Sequence, residues 1–265
     1  MRSLLTFRHQ LWAKRLLISL FLLISHLTFA NDAVSDLLQQ AENAQKNYFE
    51  TKAIELYKKV LAIDSVNFKA LFNIAFLYSR QGWLEEGINE EKTKKNYELC
   101  MKYAQQGYRH YPNTFEANLM MAGATARYAR FMDAKGRVHA AWDIKKYADI
   151  AYKLNPNQAE INHLLAWWNY ELTKPTWLER KLSGLFFGGL PKGATMDNAF
   201  AFLNKALKTN PNYMIYYYDL AVFFNHVGNK IKAIENLKKA VTIKPKAPEE
   251  FQYLELSKKK LAALE

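Results

Sequence analysis

The sequence predicts an all-α solenoid of about five helix-turn-helix units, three of them carrying insertions, closed by a C-terminal capping helix. Three observations predict it. The 34-residue segment Met214–Ala247 spaces small and bulky apolar residues as a close antiparallel helix pair requires. Pro-Asn steps recur at Pro112, Pro156 and Pro211, each ending a helical pattern. Turn residues are scarce, with 10 Gly and 7 Pro against 50% hydrophobic residues, which excludes a many-stranded β fold and general disorder.

The first thirty residues stand apart. Arg2, Arg8, Lys14 and Arg15 form a basic start without an acid, and Leu16 to Phe29 is an apolar run of fourteen interrupted by Ser and His26. Thr28-Phe29-Ala30 then places small residues where a signal peptidase reads, so residues 1–30 are expected to be a signal peptide cleaved after Ala30. An uncleaved N-terminal membrane anchor is the less favoured alternative, because fourteen helical residues span about 21 Å against a hydrocarbon core of about 30 Å. No Cys follows the cleavage site, which argues against a lipoprotein. Removing four cations from the formal +12 leaves +8, read first as a solvated basic surface and more sharply as attraction to an anionic membrane surface or an acidic partner. Cys100 is the only cysteine, so no intramolecular disulfide forms. Export without disulfides suits a Gram-negative periplasm.

Residues 31–265 are then one helical domain, and its last full unit is the clearest. Tyr217, Leu220, Ala221 and Phe224 hold first-helix packing positions, Gly228 lies in the turn, and Ala233, Leu237, Ala240 and Pro245 mark the second helix and its end. This spacing resembles the tetratricopeptide-repeat (TPR) family. Earlier second helices are marked by Ala53/Tyr57/Val60, Cys100/Ala104/Gly107, Ala148/Ala151 and Ala199/Leu203/Ala206. First helices are expected near 33–46, 68–81, 115–131, 159–172 and 214–227. With Ser65 in the place of the first proline, successive ends lie 47, 44, 55 and 34 residues apart. The units therefore run 34–67, 68–114, 115–158, 159–213 and 214–247, and three carry 13, 10 and 21 extra residues between their helices. Residues 248–265, with Phe251, Leu254, Leu261 and Leu264 near helical spacing, are expected to cap the apolar face of the last unit.

The insertion in the fourth unit has its own signature. Trp177, Leu178, Leu182, Leu185 and Phe186 form an apolar stripe, with Glu179, Arg180 and Lys181 on the other side. Gly188-Gly189 ends this short helix, Pro191 blocks its resumption, and Asp197 or Thr195 caps the next. The stripe is expected to brace the solenoid, with an exposed docking or membrane-surface element as the alternative. The same stretch carries His163-Leu164-Leu165, Trp177, Glu179-Arg180, Phe186-Phe187-Gly188-Gly189, Leu190-Pro191 and the helix Ala199–Ala206 before Pro211. In these features it resembles the regulator of microtubule dynamics family of TPR-like proteins. The resemblance implies the fold and a partner-binding role, and brings no catalytic residues. An exported chain meets no microtubule, so that part of the name does not carry over.

The TPR resemblance also implies that first helices line a concave groove. Its candidate residues are Phe72, Phe76 and Arg80 in the second unit and Arg127 in the third. The fourth unit adds His163, Trp167, Tyr170 and Glu171, and the fifth Tyr218, Asn225 and His226. Aromatic rings give contact area at small entropic cost, and Arg holds a carboxylate through two parallel hydrogen bonds. The expected ligand is an extended peptide or protein tail, with an acidic end; several of these aromatics could instead only fill a narrow groove. The alternative function is carriage of a small apolar ligand enclosed by the insertions, beside a transporter.

Chemistry is sparse. No HExxH, CxxC, P-loop or GxGxxG occurs, so no metal and no cofactor are expected. His163 and Glu171 stand two helical turns apart, too far for the carboxylate to orient the ring, and an enzyme is not expected. The clusters Lys92-Lys94-Lys95 and Lys258-Lys259-Lys260 lack interleaved aromatics, so nucleic acid is not an expected partner.

Overall fold

The computed structural model describes residues 31–265. The expected signal peptide at 1–30 lies outside the described residues, as does the side chain of Trp177. The described elements are all helical and divide into two compact units, one ending at Ala70 and one spanning Leu71–Glu265.

In the first unit, α1 (31–46) and α2 (Glu50–Ile63) meet through small residues. Ala41, Ala44 and Ala53 are buried, which lets Tyr57 insert fully and donate its hydroxyl to Gln45 at 3.0 Å. The tight link between the helices places Tyr48 at φ 61, the one described non-glycine residue in the left-handed region.

The boundary falls inside α3 (Phe68–Glu85), and the second unit goes on with α4 (Glu90–His110), then α5 (Phe115–Tyr128) and α6 (Ala134–Leu154). Next come α7 (Ala159–Thr173), α8 (Trp177–Phe187) and α9 (Met196–Thr209). The chain ends with α10 (Met214–His226), α11 (Lys230–Thr242) and α12 (Pro248–Leu264). The pairs α5/α6, α7/α9 and α10/α11 pack most closely, which is the helix-pair solenoid the periodicity implies. Polar side chains start most helices: Asn89, Thr114, Asp133, Thr195 and Asn229 each accept the N–H three residues on.

The prolines act through one repeated device. Asn118 and Asn162, each six residues after a proline and fully buried, donate to the carbonyls of Pro112 and Pro156 at 2.7 and 2.9 Å. Each ties the turn between units to the next first helix. In the last copy Tyr217 takes over, its hydroxyl donating to Pro211 O at 3.1 Å.

Two insertions form no separate α-helix between the helices of their pairs. The extra residues of the second and third units extend helices, giving α3 18 residues and α4 and α6 21 each. Runs rich in Glu, Lys and Ala have strong helix propensity and continue the neighbouring helix instead of leaving it. The first helix of the third unit ends earlier than expected, at Tyr128, and tightens into a 3-10 turn over Ala129–Phe131. Only the insertion of the fourth unit forms a separate element, α8. Thr176 and Glu179 close a capping box at its start, and Gly188, in the left-handed region at φ 81, ends it.

The core is built from matched small and large residues. Leu203, Phe223 and Tyr216 fill the space beside Ala199, Ala206 and Ala166, while Ala221, Ala233 and Leu237 form the core of the last pair. Leu261 and Leu264 of α12 pack on that last core and close the end of the solenoid. At Gly82 the approach is closest, because an added Cβ would clash with the ring edge of the fully buried Tyr97. Gly82→Ala should therefore lose about 1–3 kcal/mol to overpacking despite better helix propensity. Gly123→Ala, where an added Cβ meets nothing within 4 Å, should gain up to about 1 kcal/mol. Urea unfolding of the two variants checks the contrast.

Candidate functional site

Residues of α3, α5, α7, α10 and α12 enclose a cleft of about 170 Å³. On α3, Phe76 and Arg80 stand one turn apart, the guanidinium carbon 5.3 Å from the ring centroid. The Arg80 side chain is only 9% exposed and faces the Glu249 carboxylate of α12 at 4.0 Å. Trp83 stacks flat on Tyr253 of α12, ring centroids 4.6 Å apart and planes 6° from parallel. Tyr253 also takes the edge of Tyr218 at 5.2 Å. Thus α12 does more than cap α11: its first half supplies a wall of the cleft.

Arg127 enters from α5. It lies 3.9 Å from Glu86, whose carboxylate also receives Arg130 at 3.2 Å and the hydroxyl of Tyr97. One acid is thereby shared by two cations and a phenol, which holds the Arg127 guanidinium at the cleft edge.

The polar centre is His163, which lines the cleft from α7, with Asp219 behind it on α10. Asp219 is completely buried, and its Oδ2 lies 2.6 Å from His163 Nε2 and 3.0 Å from Trp167 Nε1. An indole nitrogen only donates, so the carboxylate is the common acceptor and the 3.1 Å His163–Trp167 approach sets two donors side by side. Asp219 Oδ1 has no hydrogen-bond partner. Burial first, and then the Asp219 charge, raises the phenols of Tyr218 and Tyr253 above the ordinary tyrosine range. These rings therefore stay neutral donors and apolar walls near neutral pH.

Of the sequence candidates, Phe76, Arg80, Arg127 and His163 come together in the cleft. Trp167 supports His163 through Asp219. Tyr170 is a correction: it is buried in the core, stacked on Phe223 at 4.5 Å, and offers no surface to a ligand. Its ring fills the space left by Ala166 and Ala199, as core aromatics do beside small residues. Glu171 is exposed and paired with Lys174 at 2.6 Å, while Asn225 and His226 are exposed at the end of α10, outside the cleft lining. Phe72 is half-buried on α3 and Tyr218 reaches the cleft only through Tyr253. Residues the sequence did not point to include Trp83, Tyr213, Glu249, Tyr253 and Asp219. A lone acid inside the aromatic run of α10 was the available signal for Asp219, since an acid there has to be buried with a partner. For Glu249 and Tyr253 no signal existed, because repeat spacing is silent on a helix beyond the last unit.

The stripe on α8 is a second correction. The structure turns Leu178, Leu182, Leu185 and Phe186 to solvent instead of onto the solenoid, and among the described side chains of α8 only Ser183 is buried. Arg180 anchors the start of α8 by donating to the carbonyls of Leu172 and Pro175, so the short helix is held by polar contacts.

A family model described as regulator of microtubule dynamics protein 1-3 matches residues 37–265. Regulator of microtubule dynamics protein 1 of Pongo abelii is 23% identical over 184 residues, which cover 69% of this chain and 57% of that protein. Regulator of microtubule dynamics protein 3 of Rattus norvegicus is 27% identical over 182 residues, covering 67% of this chain and 37% of that protein. The chain thus spans little more than half the length of the first and less of the second. Among solved structures, a thermophilic TPR protein of Thermus thermophilus superposes with a TM-score of 0.59 at 14% identity. That likeness covers 84% of this chain and 98% of the other and establishes the TPR-like fold.

The His163–Asp219 contact yields a stability prediction. His163→Ala leaves a buried carboxylate short of a donor and should cost about 1.5–3 kcal/mol. The exposed Glu171→Ala should stay within about 0.5 kcal/mol of the parent. Denaturant midpoints of both variants measure the difference.

Proposed function

The chain belongs to the regulator of microtubule dynamics family, and from that premise we propose that it is an exported interaction protein holding an acidic peptide or protein segment in the cleft. Its TPR-like fold is a helical-repeat interaction fold, and family and fold alike are those of interaction scaffolds rather than typical enzymes. The leader expected at 1–30 favours a periplasmic setting, so the microtubule of the relatives' name is not carried over to this chain.

One observation carries the reading: the chain's own Glu249 carboxylate already faces Arg80 inside an aromatic cleft. It marks where a partner's acid would sit. The pair is 4.0 Å apart, beyond the roughly 2.7–2.9 Å of a charge-assisted hydrogen bond. An incoming carboxylate with better geometry gains by displacing it. Arg127 at the same cleft gives a second cation, and Phe76 and Trp83 give apolar walls for the neighbouring side chains. The volume supports the same occupant. About 170 Å³ suits one side chain or chain end, whereas pockets for drug-sized ligands run to roughly 300–1,000 Å³. Carriage of a small apolar ligand in this cleft therefore has less support.

The test uses a fluorescent tetra-glutamate peptide with tetra-glutamine as control. The acidic peptide should bind and the control should not. Arg80→Glu/Arg127→Glu should weaken binding by more than about ten-fold, since reversing a buried cation costs several kcal/mol. Glu249→Gln, which removes the internal competitor, should tighten it. Equal binding by the double variant and the parent sinks the proposal. Crosslinking in the native envelope then identifies the partner.

A further inference from the structure

The α8 helix and the cleft at its base form a second surface, separate from the first-helix cleft. Four large apolar side chains project from one face of this 11-residue helix. Leu178 is 57% exposed, Leu182 43%, and Leu185 and Phe186 69% each. Their spacing of four, three and one residues puts all four within one stripe. A stripe this dense on a tethered helix is an unmet apolar surface, since single exposed residues are ordinary but contiguous patches are not.

Beside the helix lies Trp142 of α6, half-exposed, with its indole nitrogen donating to Gly189 O at 2.9 Å. That bond fixes the Gly188-Gly189 turn and holds the ring next to the end of α8. An open cleft of about 850 Å³ separates the helix from α6; Arg180 and Lys192 line it, together with Lys145 and the Asp149 carboxylate that Lys145 pairs with. The charge balance favours anions. Over residues 171–192 the chain has four cations, Lys174, Arg180, Lys181 and Lys192, against two acids. Both acids are engaged: Glu179 closes the capping box on Thr176, and Glu171 pairs with Lys174.

We propose that α8 lies in the surface of a bilayer containing anionic phospholipid, its leucine–phenylalanine face among the acyl chains and the basic cleft at its base taking lipid phosphates. Three features select a membrane over a protein groove. Eleven residues make a helix about 16 Å long, suited to lying in the interface and too short to cross it. Trp142 stands at the border between the apolar and basic zones, where an amphipathic ring is best placed at a headgroup layer. The surrounding cations match a negative surface at short range.

The test reads α8 locally in the full chain, so that binding through any other segment does not mimic it. An environment-sensitive fluorophore is attached at Leu185→Cys, and a control at Ile231→Cys, exposed on α11. Cys100 does not compete for the label, being buried with its thiol pushed up to about 12 by that burial. With vesicles of equal parts phosphatidylcholine and phosphatidylglycerol, the label at 185 should shift to the blue and brighten, while the label at 231 should not respond. Lys181→Glu/Lys192→Glu should lower the apparent vesicle affinity by at least about ten-fold. Pure phosphatidylcholine should give a much weaker response. A label at 185 that stays in a watery environment with the anionic vesicles overturns the proposal. So does a response that is equal for the charge-reversed variant, which would indicate apolar adsorption alone.

Discussion

A carboxylate without access to water sits in the middle of α10, and the arrangement around the cleft depends on how Asp219 is satisfied. Isolated, such a charge would be expelled or neutralised at a cost of several kcal/mol. Here two ring nitrogens from α7 approach one of its oxygens. Because His163 and Trp167 are four residues apart, they stand on one face of α7, and both reach Asp219 only in one register of the two helices. The same register places Tyr216 beside His163 and Phe223 beside Trp167 and Tyr170. A single buried polar contact therefore specifies the aromatic packing of two successive units, which apolar contacts alone would fix less sharply.

From that fixed wall the remaining geometry follows. α12 begins with Pro248 and two acids, a good helix start in which Glu249 and Glu250 also face the helix N-terminus. Its far end buries Leu261 and Leu264 on the last pair, as any terminal cover must. Once that end is docked, the near end is delivered to the first-helix side, where Tyr253 meets Trp83 and Tyr218. The cap and the cleft wall are thus one rigid element. Glu249 and the ring stack at Tyr253 are the contacts through which α12 borders the cleft.

The helical class was legible because it rests on local, repeated signals: small residues at fixed spacing, a proline at the end of every unit but the first, and polar caps ahead of helices. Asn118 and Asn162 show that the signal was richer than read, since each proline is followed six residues later by the side chain that clamps it. Four of the cleft residues were also legible, because Phe76, Arg80, Arg127 and His163 lie on first helices at positions set by the repeat. What was not legible depends on contacts between distant elements. Tyr170 and Trp167 share a helix face and a residue class, yet one is core and the other a support for His163. That difference arises from which residues of α9 and α10 meet them, and no periodicity carries it. Trp83 and Tyr253 lie 170 residues apart in sequence and are joined only by the path of the whole second unit.

The three insertions separate local propensity from tertiary demand. In the second and third units the added residues extend the helices of the pair they interrupt. The fourth is set apart by Pro175 at one end and by Gly188, Gly189 and Pro191 at the other, so its helix cannot merge with α7 or α9. Its orientation was then open to choice by packing. Turning the leucine–phenylalanine face inward would gain about 1.5–3 kcal/mol for each side chain fully buried. The inner side instead carries the buried Ser183, and the Arg180 side chain ties the base of the helix to the carbonyls of Leu172 and Pro175. Polar anchoring at the base thus fixes the helix in the orientation that leaves its apolar stripe unmet in water. A surface held outward by directional bonds stays available as a rigid unit, and only a partner that is itself apolar and anionic satisfies both the stripe and the cations around it.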